Sequence, residues 1–196
     1  MSVSLTKGQK VSLSKDGATL TRIFMGLGWD VAVKKGLLGG LFGGGGAGDS
    51  IDLDASCLVF DDSGQLVDEI WFRQLKGVNG AIVHTGDNVT GAGDGDDEVI
   101  KVDLSRLPAT IKSLVFTVNS FRGQTFDKVA NACCRVVDDV TGKELAIFNL
   151  SESGSHTGLI MGKIYRHNGE WKLHAIGEKT LGRTFHDMMP AIQAAL

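Results

Sequence analysis

Cysteine is scarce in this chain: Cys57, Cys133 and Cys134 are the three among 196 residues, and no C-x-x-C pair is present. That scarcity argues against a disulfide framework and against a cysteine-ligated zinc centre, and adjacent cysteines on one strand would point to opposite faces. Long apolar runs are missing too. No stretch reaches the ~18 apolar residues of a membrane span, and the opening MSVSLTKGQK lacks the apolar region of a secretory signal. The expected compartment is the reducing cytoplasm, with no transmembrane segment and peripheral membrane association left open. A basic surplus is also absent. A net charge of -3 speaks against non-specific nucleic-acid binding, which needs Lys and Arg to neutralise phosphates.

Proline is rare as well, with two residues against 27 glycines, and sustained helical periodicity is confined to the end of the chain. With 42% hydrophobic and 22% charged residues the composition is that of a folded globular protein, and the length suits one core. The expected organisation is one domain over 1–196 with a Gly-rich loop insertion at about 36–48.

Short β-branched runs separated by turn residues predict strands around 2–6, 21–29, 53–60, 66–72, 82–85, 99–104, 111–118, 133–138, 145–150, 158–165 and 171–176. The pair Asn168-Gly169 between two alternating runs predicts a type I′ hairpin. One helix is predicted over Thr184 to Ala194, with Thr184 as cap and Phe185, Met188, Met189 and Ile192 at helical spacing. A short helix is expected near Phe126 to Ala132. No sustained βαβ alternation is present, so the fold class is an all-β antiparallel sandwich with a short C-terminal helix.

The negative charge is concentrated. Residues 87–98 (DNVTGAGDGDDE) hold five carboxylates with no Lys or Arg, and residues 49–54 (DSIDLD) hold three more, so the rest of the chain carries +5. Two carboxylates ~5 Å apart at an effective dielectric near 20 repel by roughly 3 kcal/mol. Either such a loop spreads into water or a cation gathers it. Interleaved glycines permit tight turns that expose carbonyls, which suits a hard cation with six to eight oxygen ligands, and favours calcium over magnesium.

The stretch from Asp87 to Glu98 has the twelve-residue length of an EF-hand loop but not its pattern: Val89 and Gly91 stand at positions three and five, Ala92 at six, and the following VIKVDL reads as strand. Asp52 and Asp54 lie two apart and would share one face of a strand, with Leu53 turned away. Asp30 ends the apolar run IFMGLGW. The Gly-rich segment 39–48 lacks the Gly-Lys-Ser/Thr of a phosphate loop and reads as a linker. No H-E-x-x-H or other paired-histidine spacing supports a zinc hydrolase, and His84, three residues before Asp87, reads as a surface or hydrogen-bonded histidine in preference to a base.

GLGWD (26–30), DLDAS (52–56), HTGDNVTGAGDGDDEVIKVDL (84–104), FDKVANACCRV (126–136) and LIMGKIYRHNGEWKLHAIG (159–177) together resemble the TerD family, over nearly the whole chain. The resemblance implies a calcium-binding β-sandwich associated with resistance to tellurite and other stresses. It implies calcium ligands, for two ions, at or near Asp30, Asp52, Asp54, Asp87, Asn88, Asp94, Asp96, Asp97 and Glu98, with Thr90 and Gly91 offering backbone oxygen. The 36–48 insertion and the tail RTFHDMMPAIQAAL depart from the family pattern. A binding module is expected, not an enzyme, with other proteins, including related resistance proteins, as partners. The alternatives are a metal-dependent hydrolase or transferase using the DLD motif, and a purely calcium-stabilised structural protein.

Overall fold

The computed structural model describes residues 2–15, 18–31, 52–86, 95–149 and 154–196; the Gly-rich segment at 36–48 lies outside them. The strands in chain order are β1 (Val3–Leu5), β2 (Lys10–Ser12), β3 (Ser14–Lys15), β4 (Ala18–Thr19), β5 (Arg22–Val31), β6 (Asp54–Asp61), β7 (Leu66–Ile70) and β8 (Lys76–Gly77). They continue with β9 (Ile82–His84), β10 (Glu98–Asp103), β11 (Ile111–Asn119), β12 (Val129–Asp138), β13 (Glu144–Asn149), β14 (Gly158–His167) and β15 (Glu170–Thr180), followed by the helix α1 (Phe185–Ala194). One sheet, A, has the order β1-β13-β12-β5-β10-β9-β8, and the other, B, the order β2-β15-β14-β11-β6-β7; β3 and β4 form a separate ribbon. Every pairing is antiparallel except β1 on β13. The expected sandwich is the observed one.

Alternation explains how the sheets face each other. Ile23, Met25, Leu27 and Trp29 of β5 point inward, as do Ala55, Cys57 and Val59 of β6 and Leu114, Phe116 and Val118 of β11, and all belong to one core between the sheets. The even positions Leu58 and Phe60 of β6 join Val115, Ile160 and Ile176 in a second cluster on the outer face of sheet B. Phe185, Met188 and Ile192 of α1 cover that cluster. Sheet B is therefore buried on both faces, which is why β6 reads as a nearly continuous apolar run.

The hairpin forms as expected, with Asn168 at φ 51° and Gly169 at φ 78° joining β14 to β15, both positive as a type I′ turn requires. Thr184 is the N-cap of α1, and the Asp187 carboxylate accepts hydrogen bonds from the backbone N–H groups of Arg183 and Thr184. At the other end Lys163 Nζ donates to the carbonyls of Ala195 and Leu196, a cation placed where the helix dipole is negative.

One expectation is corrected. The short helix near Phe126 to Ala132 is a single 3-10 turn, Phe126–Lys128, after which β12 begins. Pairing with β5, Val129 against Val31 and Ala130 against Asp30, outweighs the weak local helical preference.

Candidate metal site

Every described acidic residue of the predicted site lies at one end of the sandwich, where β5 ends and β6 and β10 begin. The motif GLGWD explains the first part. Leu27 and Trp29 point into the core, so Gly26 and Gly28 fall on the outer face of sheet A, and that strip of β5 is left without side chains. Segment 95–97 occupies the bare strip. A Cβ on Gly26 would lie 2.3 Å from the Asp96 carboxylate, and one on Gly28 would lie 3.0 Å from the Gly95 carbonyl. Asp97 N–H donates to the Leu27 carbonyl at 2.8 Å, which locks the segment in register.

Three carboxylates crowd there. Asp97 accepts the Trp29 backbone N–H at 2.8 Å, yet its pKa is raised, first by burial and then by the charges of Asp30 and Asp96, against the lowering pull of that hydrogen bond. Asp30 is exposed at the end of β5 and accepts Asn131 Nδ2 at 2.8 Å. Asn131 has φ 51° and sits where the β12 register on β5 shifts between Ala130 and Cys133. The bulge aims its amide at Asp30.

Asp96 carries its own counter-charge. Arg135 of β12 grips it at both oxygens, Nε to Oδ1 at 2.8 Å and a terminal nitrogen to Oδ2 at 2.9 Å, the planar fork that suits guanidinium and carboxylate. The Arg135 pKa is raised by the same bonds.

Sheet B supplies the remainder. Asp54 opens β6, and Asp52 and Leu53 precede the strand, so the DLD triplet is not wholly a strand face; Leu53 is buried in the core as expected, and both aspartates are buried too. Asp52 Oδ2 lies 3.0 Å from Arg122 Nε, and its backbone N–H donates to Gln124 Oε1 at 3.3 Å. Glu98 belongs to sheet A but reaches across: its Oε2 accepts the Ala55 backbone N–H at 2.6 Å and lies 3.4 Å from His84 Nε2, with neither side chain exposed. His84 Nδ1 accepts the Gly86 N–H at 3.1 Å, which leaves Nε2 as the ring nitrogen that faces Glu98. His84 is a core histidine.

The structure thus brings together Asp30, Asp96 and Asp97, with Asp52, Asp54 and Glu98 at the same end. Asp87, Asn88, Thr90, Gly91 and Asp94 lie outside the described residues. Among the described residues no three His, Cys, Asp or Glu side chains already form a metal-holding group. Sequence reasoning missed Arg122, Arg135, Gln124 and Asn131. Nothing in their local pattern marks them, because only strand register brings them to the acids.

The thiols are not poised for chemistry. Burial raises all three, Cys134 to about 12, so none is a ready thiolate at neutral pH. No described helix is long and apolar enough to cross a membrane.

Comparison with known proteins follows the same contours. The TerD domain family model matches residues 1–189. The chain is 58% identical over 194 residues to the tellurium resistance protein TerZ of Serratia marcescens, covering 99% of this chain and 98% of that protein. It is 43% identical to general stress protein 16U of Bacillus subtilis (strain 168), covering 90% of each. Among solved structures, a homologue of telluride resistance protein (TerD) from Streptomyces coelicolor A3(2) superposes with a TM-score of 0.66 at 20% identity, covering 83% of this chain and 92% of that one. That last likeness concerns the fold.

Proposed function

The chain belongs to the TerD family, and on that premise we propose that it is a calcium-binding β-sandwich of the tellurium-resistance and stress-response type, acting in the cytoplasm through calcium-dependent contact with other proteins. The observation that carries the reading is the placement of segment 95–97 against β5, which sets Asp96 and Asp97 beside Asp30 at the strand end; burial first, and the neighbouring charges after it, raise the Asp97 pKa there. Carboxylates are held close enough to repel one another, at a position the fold fixes from both sides. A divalent ion offsets that repulsion.

The donors fit the ion. They are oxygens, supplied by strand ends, and Gly86 and Gly95, the described residues on either side of the acid-rich sequence 87–94, lie at the same end of the sandwich. A hard cation with many oxygen ligands matches this set better than zinc, which favours sulfur or imidazole: burial raises the Cys133 pKa, and His84 is buried with Nε2 turned to Glu98. Asp30, Asp52, Asp54 and Asp97 would hold calcium together with the 87–94 stretch. Asp96, gripped by Arg135 at both oxygens, and Glu98, turned inward to Ala55, serve first to fix segment 95–98.

Calorimetry of chelator-stripped protein with calcium chloride tests the reading. Uptake of one or two ions is the expected result, and no heat of binding at millimolar calcium sinks it. A pull-down with and without chelator then separates a calcium-dependent interaction module from a sandwich that the ion merely stabilises.

A further inference from the structure

One register row crosses sheet B at its acidic end. Asp54 of β6 is the partner of Asn119 of β11, Asn119 of Gly158 of β14, and Gly158 of Thr180 of β15. Leu58, Phe60 and Val115 lie beneath α1. Asp54 and Asn119 share their alternation, so both stand on that same outer face. Gly158 leaves the row open, and Thr180 Oγ1 and Met188 Sδ fill the place a Cβ would take, at 2.6 and 2.9 Å.

Asn119 is 2% exposed, and its amide orientation is fixed. Its Nδ2 donates to the Arg183 carbonyl at 2.6 Å, a group that only accepts, so Oδ1 faces the other way. Among the described residues Oδ1 has no hydrogen-bond partner, and neither has Thr117 Oγ1, two residues earlier on the same face. Directly opposed residues on antiparallel strands hold their Cβ atoms ~4.5–5.5 Å apart, so the side chains of Asn119 and Asp54 are neighbours on this face. A buried amide oxygen with no donor calls for a donor or a cation.

We propose that Asn119 Oδ1 is a calcium ligand shared with Asp54, and that its amide relays ion occupancy to the start of α1. The inference rests on the calcium reading above, since Asp54 belongs to that site. A cation drawing on Oδ1 makes the Nδ2 hydrogens stronger donors. Their acceptor is the carbonyl of Arg183, the residue before the Thr184 cap, so a bound ion tightens the seat of the helix. The tail that departs from the family pattern thereby gains a reason to respond to calcium.

The test uses the full chain, stripped with chelator and titrated with calcium chloride in a calorimeter, as wild type, Asn119→Ala and Asn119→Asp. Hydrogen exchange of residues 185–194 is followed in each with and without calcium. Loss of even a second-sphere partner weakens metal sites ~10–100-fold, so Asn119→Ala is expected to bind one ion at least tenfold more weakly. Asn119→Asp is expected to bind at least as tightly as wild type, yet to lose the calcium-dependent protection of α1, because its donor to Arg183 is gone. Calcium uptake with unchanged affinity in both variants overturns the proposal and leaves the calcium site standing. Wild-type uptake that leaves exchange in α1 unaltered removes the relay, and this readout stands even if Asn119→Ala does not fold. Failure of the wild type to take up calcium removes both readings.

Discussion

The carboxylate of Glu98, a residue of sheet A, accepts the backbone N–H of Ala55, a residue of sheet B, at 2.6 Å. The bond joins the two sheets at the end where the acids gather, with His84 Nε2 3.4 Å from the same oxygen. Glu98 is as much a fastener as an acid.

Removing that fastener orphans the buried N–H of Ala55 and takes away the carboxylate 3.4 Å from His84 Nε2. Glu98→Ala is expected to cost about 2–4 kcal/mol, read as a lowered urea midpoint. Glu98→Gln keeps an acceptor and should cost less. Equal midpoints for Glu98→Ala and wild type would show that the bond carries no stability.

Asp97 gives a pH signature. Its folded pKa is raised above the unfolded value, so the folded state holds the proton more tightly, and the strain of the charged form is present above the folded pKa. Stability of the calcium-free protein attributable to this group therefore falls as pH rises from the usual aspartate range through the raised pKa. Asp97→Asn keeps an acceptor for the Trp29 N–H, removes the charge, and should stabilise the calcium-free protein at neutral pH while weakening calcium binding. Thermal melts from pH 4 to 8, with and without chelator, check both signs.

Arg135 neutralises Asp96 over a bare strand face. Arg135→Ala should destabilise the calcium-free chain by about 1–3 kcal/mol, and Arg135→Lys should restore little of it, because an ammonium cannot reproduce the two-bond grip. Chemical denaturation of the three proteins in chelator is the measurement.

Gly26→Ala attacks the same contact from below. A methyl 2.3 Å from the Asp96 carboxylate forces segment 95–97 off β5, so both stability and calcium affinity should fall. Overpacking of this kind costs ~1–3 kcal/mol. A variant with wild-type calorimetry would mean that segment 95–97 is not part of the site.

Trp29 offers an optical check, since its backbone N–H binds Asp97 and it directly precedes Asp30. Terbium bound at the site should be sensitised by Trp29, displaced by calcium, and dimmed in Trp29→Phe. Asp52→Asn and Asp54→Asn together should weaken the signal. Emission that calcium does not displace counts against the site.

Local features were legible in the sequence. Asn168-Gly169 announced its turn because two positive φ values are cheap for that pair, and Phe185, Met188 and Ile192 announced α1 because they stack on one helical face. The short strands β2, β3, β4 and β8 escaped notice; each is too short to show a period, and exists because a neighbour offers hydrogen bonds. The helix expected near Phe126 to Ala132 gives way to a 3-10 turn and β12 for the related reason that pairing with β5 decides its form.

The sequence alone determined which segments are acidic, which alternate, and that glycine stands twice beside Leu27 and Trp29. Only the tertiary structure decided that Asp96 would belong to Arg135, that Glu98 would turn inward to Ala55, and that Asn119 would face Asp54. The physical reason is range. Turn chemistry and periodicity are written within a few residues, whereas a charge finds its partner through the register of strands far apart in the chain, set by the sum of all contacts across both sheets.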